Sequence, residues 1–420
     1  MEIKIYDYLL SLAERTLDKC LYNIDTGYCT KTTQVLVPSG DGIYPSFWVR
    51  DCVMMAESGL LDDKLMKEYI EIFATHGQNG GKQIELENGL CIPPYACADH
   101  INYDGGTVFF PGTYFDSTNQ GTGKFGFYPP YDNNFYFILL VFFYIKKTGD
   151  VDILEKRYND MSLMDHIEKA FLCYGIDDET QLVYSNSEKY TVDWGFCDTI
   201  KKTGFLLMPS ILRANAAIAL SEMLKGDSAK KQFYDAVYNT IKVSILMHFY
   251  DYDTGWLYSA TEIGKQHDVW VTAYAIYSDI LPEELEKKTA KVLKDSYLDG
   301  SATKFGSIRH ILLNENYSNT TAWEDAHGKE INIYQNGAYW ATPTGWYFYA
   351  LYKHHPETAL KLMKDFIEDV EQGKPNGAPY EWFSPEKDKM AGKYYGTSGI
   401  LPYTAVKKLG LNEEKISWTN

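Results

Sequence analysis

The chain has 420 residues, enough for one large domain or two to three ordinary ones, and its 45% hydrophobic and 23% charged residues are those of a globular protein. A formal net charge of -17 argues against nucleic acid or an anionic membrane as partner, because either needs clustered Lys and Arg. No apolar run reaches the length of a membrane span, and residues 1–7 carry acids where a signal peptide would be apolar, so the expected location is the cytoplasm. The seven cysteines, Cys20, Cys29, Cys52, Cys91, Cys97, Cys173 and Cys197, are odd in number, scattered and without a CxxC pair, which predicts free thiols. Aromatics make up 15% of the chain, led by 35 Tyr. Tyr buries a ring while keeping a hydrogen-bonding tip. Such surfaces suit amphipathic ligands such as sugars, although a large core accounts for most of the rings.

In chain order, the spacing of Ile5, Leu9, Leu10, Leu12, Ala13 and Leu17 predicts a first helix over residues 3–22. A turn-rich segment follows over 25–42. Tyr44-Pro45-Ser46-Phe47-Trp48-Val49-Arg50-Asp51 then leads into a helix over 52–61, with another over 62–75. Residues 77–132 form a long stretch rich in Gly, Pro, Asn and Tyr. It is too aromatic for disorder, so it is expected to be functional, with residues 85–92 a candidate for local strand pairing. The run 134–147 is apolar nearly all round, which predicts a buried helix ended by Thr148-Gly149-Asp150. Further helices are expected over 150–158, 161–174, 209–225, 228–248, 268–280, 283–296, 338–353, 356–372 and 398–408.

The connections alternate between short and long. The short ones are 148–150, 225–228, 281–283 and 354–356. The long ones are 77–132, 176–208, 250–267, 297–337 and 373–397. About twelve helices in hairpins, with long loops recurring at one end, describe an all-α (α/α)6 toroid with a few short strands in its loops. No linker divides the chain, so residues 1–420 are read as one domain. The long loops would then gather at one rim and build a cleft. An irregular α-solenoid is the alternative, but its repeats should be more uniform.

Six loop segments pair acids or amides with aromatics, most of them just ahead of a helix. They are Trp48-Val49-Arg50-Asp51, Asp99-His100, Tyr131-Asp132-Asn133-Asn134, Asp193-Trp194-Gly195-Phe196-Cys197-Asp198, Tyr334-Gln335-Asn336-Gly337-Ala338-Tyr339-Trp340 and Tyr380-Glu381-Trp382-Phe383. Aromatic neighbours desolvate a carboxyl and raise its pKa toward the range of a general acid. An adjacent Arg and Asp can grip vicinal hydroxyls, one donating and one accepting. The plain alternatives are a structural salt bridge for Arg50 and Asp51, a helix-capping turn for Asp193 and Asp198, and a ligand-free turn for Gln335 and Asn336.

Taken together, these segments resemble the six-hairpin glycosidase clan, which includes glucoamylases, glycogen-debranching glucosidase domains, trehalases and processing α-glucosidases. Trp48-Val49-Arg50-Asp51 is similar to the clan's W-x-R-D segment. Tyr334 to Trp340 is similar to its Y-H/Q-N-G-x-x-W segment. Glu381 with Pro385, Gly392 and Ser398 resembles the late segment that carries the clan's general base. Asp193 to Asp198 lies where the clan keeps its general acid but departs from the usual S-G-W/M-D wording. The resemblance runs from about residue 44 to 400. It implies inverting hydrolysis of a glycosidic bond in an oligosaccharide or glycoside, of α configuration in the clan's manner, by two carboxyls roughly 6.5–9.5 Å apart. Asp193 is the expected acid, shielded by Trp194, with Asp198 its rival and Glu381 the base. Trp48, Arg50, Asp51, Asp99, His100, Asp132, Trp194, Gln335, Asn336 and Trp340 would hold the sugar. No cofactor or metal is expected. The same fold also serves sugar epimerases, phosphorylases and polysaccharide lyases, and a non-catalytic carbohydrate-binding scaffold is the competing reading from a different class.

Overall fold

Every inner helix of the molecule packs against two others, and together they close a ring. The computed structural model describes residues 2–28, 32–87, 89–111, 120, 125–224, 226, 228–317, 330–372, 377–411 and 417–419. Among these are twelve α-helices: α1 (Ile5–Cys20), α2 (Val49–Ala56), α3 (Asp63–Ile72), α4 (Asp132–Thr148), α5 (Leu163–Phe171), α6 (Leu207–Met223), α7 (Ser228–His248), α8 (Val269–Tyr277), α9 (Glu283–Leu298), α10 (Thr344–His354), α11 (Pro356–Gln372) and α12 (Gly396–Lys408). The even-numbered helices pack in the order α2, α4, α6, α8, α10, α12 and back to α2. The odd-numbered helices cover them, with α1 on α12, α3 on α4, α7 on α6 and α11 on α10. This is an (α/α)6 toroid.

Composition decides which helices go inside. Every residue of α2 and of α8 is buried, so no polar stripe faces solvent. The outer α11 instead buries Ala359, Leu362, Met363, Phe366, Ile367 and Val370 along one stripe. Local chemistry sets the ends. Ser162 and Asp165 form a capping box that starts α5, and Gly149 closes α4 in the left-handed conformation, φ 74°.

Most inner helices run into outer ones through short turns, such as residues 278–282 between α8 and α9; the exception is the 149–162 connection from α4 to α5. Outer helices return through long segments, so the N-terminal ends of the inner helices carry all the elaborate loops. Small sheets brace this rim. Ser46–Trp48 pairs with His100–Asn102, which pairs with Thr107–Val108. Val183–Ser185 pairs with Gly204–Leu206 and closes off the segment carrying Asp193 and Asp198. A five-stranded sheet joins Thr303–Lys304, Ser307–Ile308, Tyr339–Trp340, Trp382–Phe383 and Met390–Ala391, next to Glu381.

Three expected elements differ. The helix expected over 150–158 is one 3-10 turn, Val151–Glu155, followed by a hairpin that pairs Arg157–Tyr158 with Met161–Ser162. Asn159 and Asp160 both take positive φ, 45° and 67°, as a two-residue hairpin turn requires. The helix expected from 338 begins at Thr344, because Tyr339–Trp340 is held as a strand and Pro343 precedes the first turn. The strand candidate at 85–92 folds back on itself, with Ile84 opposite Ile92. Among the described residues six cysteines are free thiols, while Cys29 lies outside them. Also outside them are Gly112 to Tyr114 of the long segment, and residues 318–329 of the 297–337 connection, His327 included. No described helix is long and apolar enough to cross a membrane.

Ring closure depends on one very close approach. A Cβ added to Gly345 in α10 would stand 2.3 Å from the Leu401 carbonyl oxygen of α12. Gly345→Ala therefore forces two inner helices apart. It is expected to lower the free energy of unfolding by about 1–3 kcal/mol in a denaturant titration. An unchanged midpoint would mean the ring tolerates that separation.

Candidate active-site pocket

The rim segments meet around one arginine. Arg50, the second residue of α2, points into the ring, where Nε and Nη2 are taken by protein partners while the residue also lines the adjoining pocket. Nη2 donates to Asp99 Oδ1 at 2.7 Å and to Asn133 Oδ1 at 2.8 Å, while Nε donates to Asp132 Oδ2 at 2.8 Å. Gly195 N donates to the same Asp132 oxygen at 3.2 Å. Gly195 has no side chain because none fits: a Cβ there would lie 2.0 Å from Arg50 Nε and Cζ. Pairing of Trp48 with His100 in the rim sheet delivers Asp99 to this point. His100 stacks on Trp48 and Nδ1 meets Asp99 Oδ2 at 2.8 Å, and Trp48 Nε1 donates to that oxygen at 3.2 Å. Burial alone would pull Arg50 down, but Asp132 and Asp99 hold it well above its usual range. Burial pushes Asp99 up, and Arg50 with His100 overcomes it and leaves Asp99 low.

A narrow pocket of about 50 Å³ opens on the far side of this cluster. Trp48, Arg50, Asp51, Asp99, Asp198 and Glu381 line it, together with Pro38, Tyr44, Pro111, Gly195, Phe196, Tyr334 and Tyr395. Unlike Asp99, three of its carboxyls are raised. Asp51 is pushed up to about 7 by burial, against the opposing pull of Arg50 and a hydrogen bond from Tyr395. Asp198 is likewise pushed up to about 7 by burial, and Gln335 opposes. Gln335 Nε2 donates to Asp198 Oδ1 at 2.6 Å, while its Oε1 accepts from Thr199 N and Oγ1 at 2.8 and 2.6 Å, which fixes the amide's orientation. Glu381 is raised well above its usual value by burial, then by the charges of Asp51 and Asp198; Tyr44, donating to Oε2 at 2.6 Å, opposes. These groups titrate as a coupled set, and burial with mutual repulsion keeps them from all ionising together.

The remaining expected site residues stand behind the lining. Asp193 is one of them. It lies in a buried ion pair with Lys202 Nζ at 3.0 Å, and Lys202 also meets Asp268 Oδ2 at 3.5 Å. Burial pushes Asp193 up to about 6, while Lys202 pulls it back. Trp194 is fully buried and donates Nε1 to Tyr136 Oη at 3.2 Å, forming part of the floor. Asp132 and His100 support Arg50 and Asp99. Asn336 accepts from Tyr317 N at 2.7 Å and donates to Asn316 at 3.0 Å, and Trp340 donates Nε1 to the Tyr334 carbonyl at 3.1 Å. Sequence reasoning did not single out Tyr44, Tyr334, Phe196 and Tyr395 as lining residues. The first three lie inside segments it had marked, whereas nothing distinguished Tyr395 from the other tyrosines. It also passed over Lys202, the partner of Asp193.

No protein-family model and no curated protein matches the sequence. The chain shares its fold with glycosidases of known structure. One, described as a wild-type glycosidase, is 12% identical, with 97% of this chain and 98% of that chain covered and a TM-score of 0.59. A glycosidase variant in complex with glucose aligns over the same spans at 11% identity and a TM-score of 0.59. A rhamnosidase from Klebsiella oxytoca with rhamnose bound is 11% identical, with 97% of this chain and 64% of that chain covered and a TM-score of 0.58. At these identities the likeness is one of fold.

The raised carboxyls have a stability consequence. Asp198 unfolded has its ordinary pKa of 3.8, and folded it sits near 7. The folded state thus binds the proton more tightly, so this group's stability is fully present below pH 3.8 and is lost as pH rises through 7. Asp198→Asn cannot ionise. Its urea midpoint is expected to exceed that of the natural protein at pH 8, with the gap closing toward pH 4. A midpoint at pH 8 equal to or below the natural one would contradict this pKa.

Proposed function

We propose that the chain is a glycoside hydrolase acting by inversion, with Asp198 as general acid and Glu381 as general base. One observation carries this reading. Two carboxyls from different rim connections, one ahead of α6 and one ahead of α12, line the same narrow pocket, and burial raises both. The glycosidases that share the fold, including one in complex with glucose and a rhamnosidase with rhamnose bound, support it.

In this reading Gln335 holds one oxygen of Asp198, and the other carries the proton to the glycosidic oxygen. Tyr44 holds one oxygen of Glu381, and the other takes a proton from the attacking water. As the bond breaks, Asp198 becomes ionised and Glu381 becomes protonated, so the pair's total charge is conserved. One proton on the pair is its working state in both reactant and product, and because burial raises Glu381 as well as Asp198, this reading requires the bound sugar to place that proton on Asp198. Asp51 Oδ1 is buried without a hydrogen-bond partner, and it accepts from a hydroxyl of the bound sugar. Trp48, Phe196 and Tyr334 supply rings for the sugar's C–H faces. The long connections gathered around the pocket favour exo action on a glycoside or short oligosaccharide. Asp193, tied to Lys202, orders the segment that carries Asp198.

Aryl glycosides and glycosyl fluorides of common hexoses and rhamnose test this. Asp198→Asn and Glu381→Gln are each expected to cut kcat on a glycoside with a poor leaving group by about 10²–10⁴-fold, the usual worth of general acid or base catalysis. A glycosyl fluoride needs little protonation, so it should restore turnover to Asp198→Asn and leave Glu381→Gln inactive. The reverse pattern would exchange the two roles. Proton NMR should show the first-formed sugar with inverted anomeric configuration. A retained configuration would overturn inversion, and sugar binding with no turnover by the natural protein would favour the scaffold.

A further inference from the structure

The inner ring holds a second and larger cavity at its other end. Its volume is about 610 Å³, within the range of roughly 300–1,000 Å³ typical of small-molecule sites. All six inner helices line it, mostly with their C-terminal halves. The floor is aromatic. Trp346 lies 4.7 Å from Tyr274 and 6.0 Å from Trp194, ring centre to ring centre, and Tyr136 accepts from Trp194 at 3.2 Å. Trp194, the residue before Gly195 of the rim pocket, thus backs the rings of this floor. Polar groups are fixed among the rings: Asn215 Nδ2 donates to Tyr274 Oη and Ser278 Oγ, both at 3.1 Å.

The mouth is lysine-rich in a chain of net charge -17. Lys407 Nζ donates to the Ser58 carbonyl at 2.8 Å, and Lys408 Nζ donates to the Tyr277 carbonyl at 2.7 Å from a point 3.8 Å from the Tyr277 ring centre. An ammonium has three donors, so each retains capacity for a ligand. Lys146 stands beside them on the same lining. Three acids share the lining: Glu57 accepts from Tyr277 Oη at 2.7 Å, Asp279 lies 3.5 Å from Lys353 Nζ, and Glu222 stands on α6 near its C-terminal end. Surrounding protein pulls Lys408 below the usual lysine range; Glu57 and Asp279 oppose that pull, while Lys146 and Lys353 add to it. A bound anion would relieve this.

We propose that this cavity is a binding site for an organic anion with an aromatic body, its ring seated on the Tyr136–Trp346 floor and its anionic group held by Lys407 and Lys408. The rim pocket plays no part in it. The probe is 8-anilinonaphthalene-1-sulfonate, an aromatic ring system with one negative charge, titrated by fluorescence. The natural protein should bind one equivalent saturably, with energy transfer from tryptophan. Asp198→Asn should bind it equally well. The double variant Lys407→Met with Lys408→Met should bind at least tenfold more weakly. The uncharged analogue N-phenyl-1-naphthylamine should also bind at least tenfold more weakly to the natural protein. Ile218→Trp, which fills the cavity, should abolish the saturable phase while circular dichroism shows a folded chain; if that variant fails to fold, the lysine variant and the neutral analogue decide. Undiminished binding by the lysine variant, equal affinity for the neutral analogue, loss of binding in Asp198→Asn, or an intact saturable phase in folded Ile218→Trp would each overturn the assignment.

Discussion

Arg50 is bonded to two rim segments and packed against a third, and the geometry of the pocket depends on it. Taking a guanidinium out of water costs several kcal/mol, and only well-formed partners offset that. Asp99, Asp132 and Asn133 supply them, and Gly195 lies flat against the group. The start of α2, the connection into α4 and the segment before α6 are thereby fixed to one another. Arg50 also pulls Asp51 and Asp198 down, but burial outweighs it, and both stay raised to about 7. A single buried cation thus sets the geometry of the site, while burial sets its protonation.

Lys202 does the same work one layer farther out. It neutralises Asp193 and joins it to Asp268, which caps the first turn of α8 through Val271 N. His310 stacks on Trp270 at 3.6 Å and donates Nε2 to the Phe196 carbonyl at 3.1 Å. Burial, with Lys202 nearby, keeps His310 neutral. The segment between Asp193 and Asp198 is therefore anchored at one end by an ion pair and at the other by Gln335. Its middle, Gly195 and Phe196, faces the pocket.

The architecture was legible because helices that are apolar all round and helices with one apolar stripe leave different patterns, and because short and long connections alternate. The two-residue strands of the rim were not, since they are too short to show alternation and form only where loops from distant parts of the chain meet. Asp193 and Asp198 look alike locally, each with aromatics at hand. What separates them is Lys202 and Gln335, and neither contact follows from local sequence. Arg50 was expected to hold sugar hydroxyls, and it does line the pocket. Its partners lie 49 to 83 positions away in the chain, and only the fold brings them to it. Tyr395 is one among 35 tyrosines, with nothing in its neighbourhood to mark it.

The ring also divides the molecule into two ends. Loops and helix N-termini build the narrow acidic pocket, while helix C-termini and lysines surround the wider aromatic cavity, with Trp194 and Tyr136 between them. The central claim concerns the acidic end: that Asp198 and Glu381, and not Asp193, face a sugar across its ring. A crystal structure with a monosaccharide bound tests it most directly. The account predicts the sugar in the rim pocket, with the two carboxyls on opposite faces of its anomeric carbon at roughly 6.5–9.5 Å from each other and Asp193 still paired with Lys202. A sugar in contact with Asp193, or Asp198 and Glu381 both on one face, would contradict it.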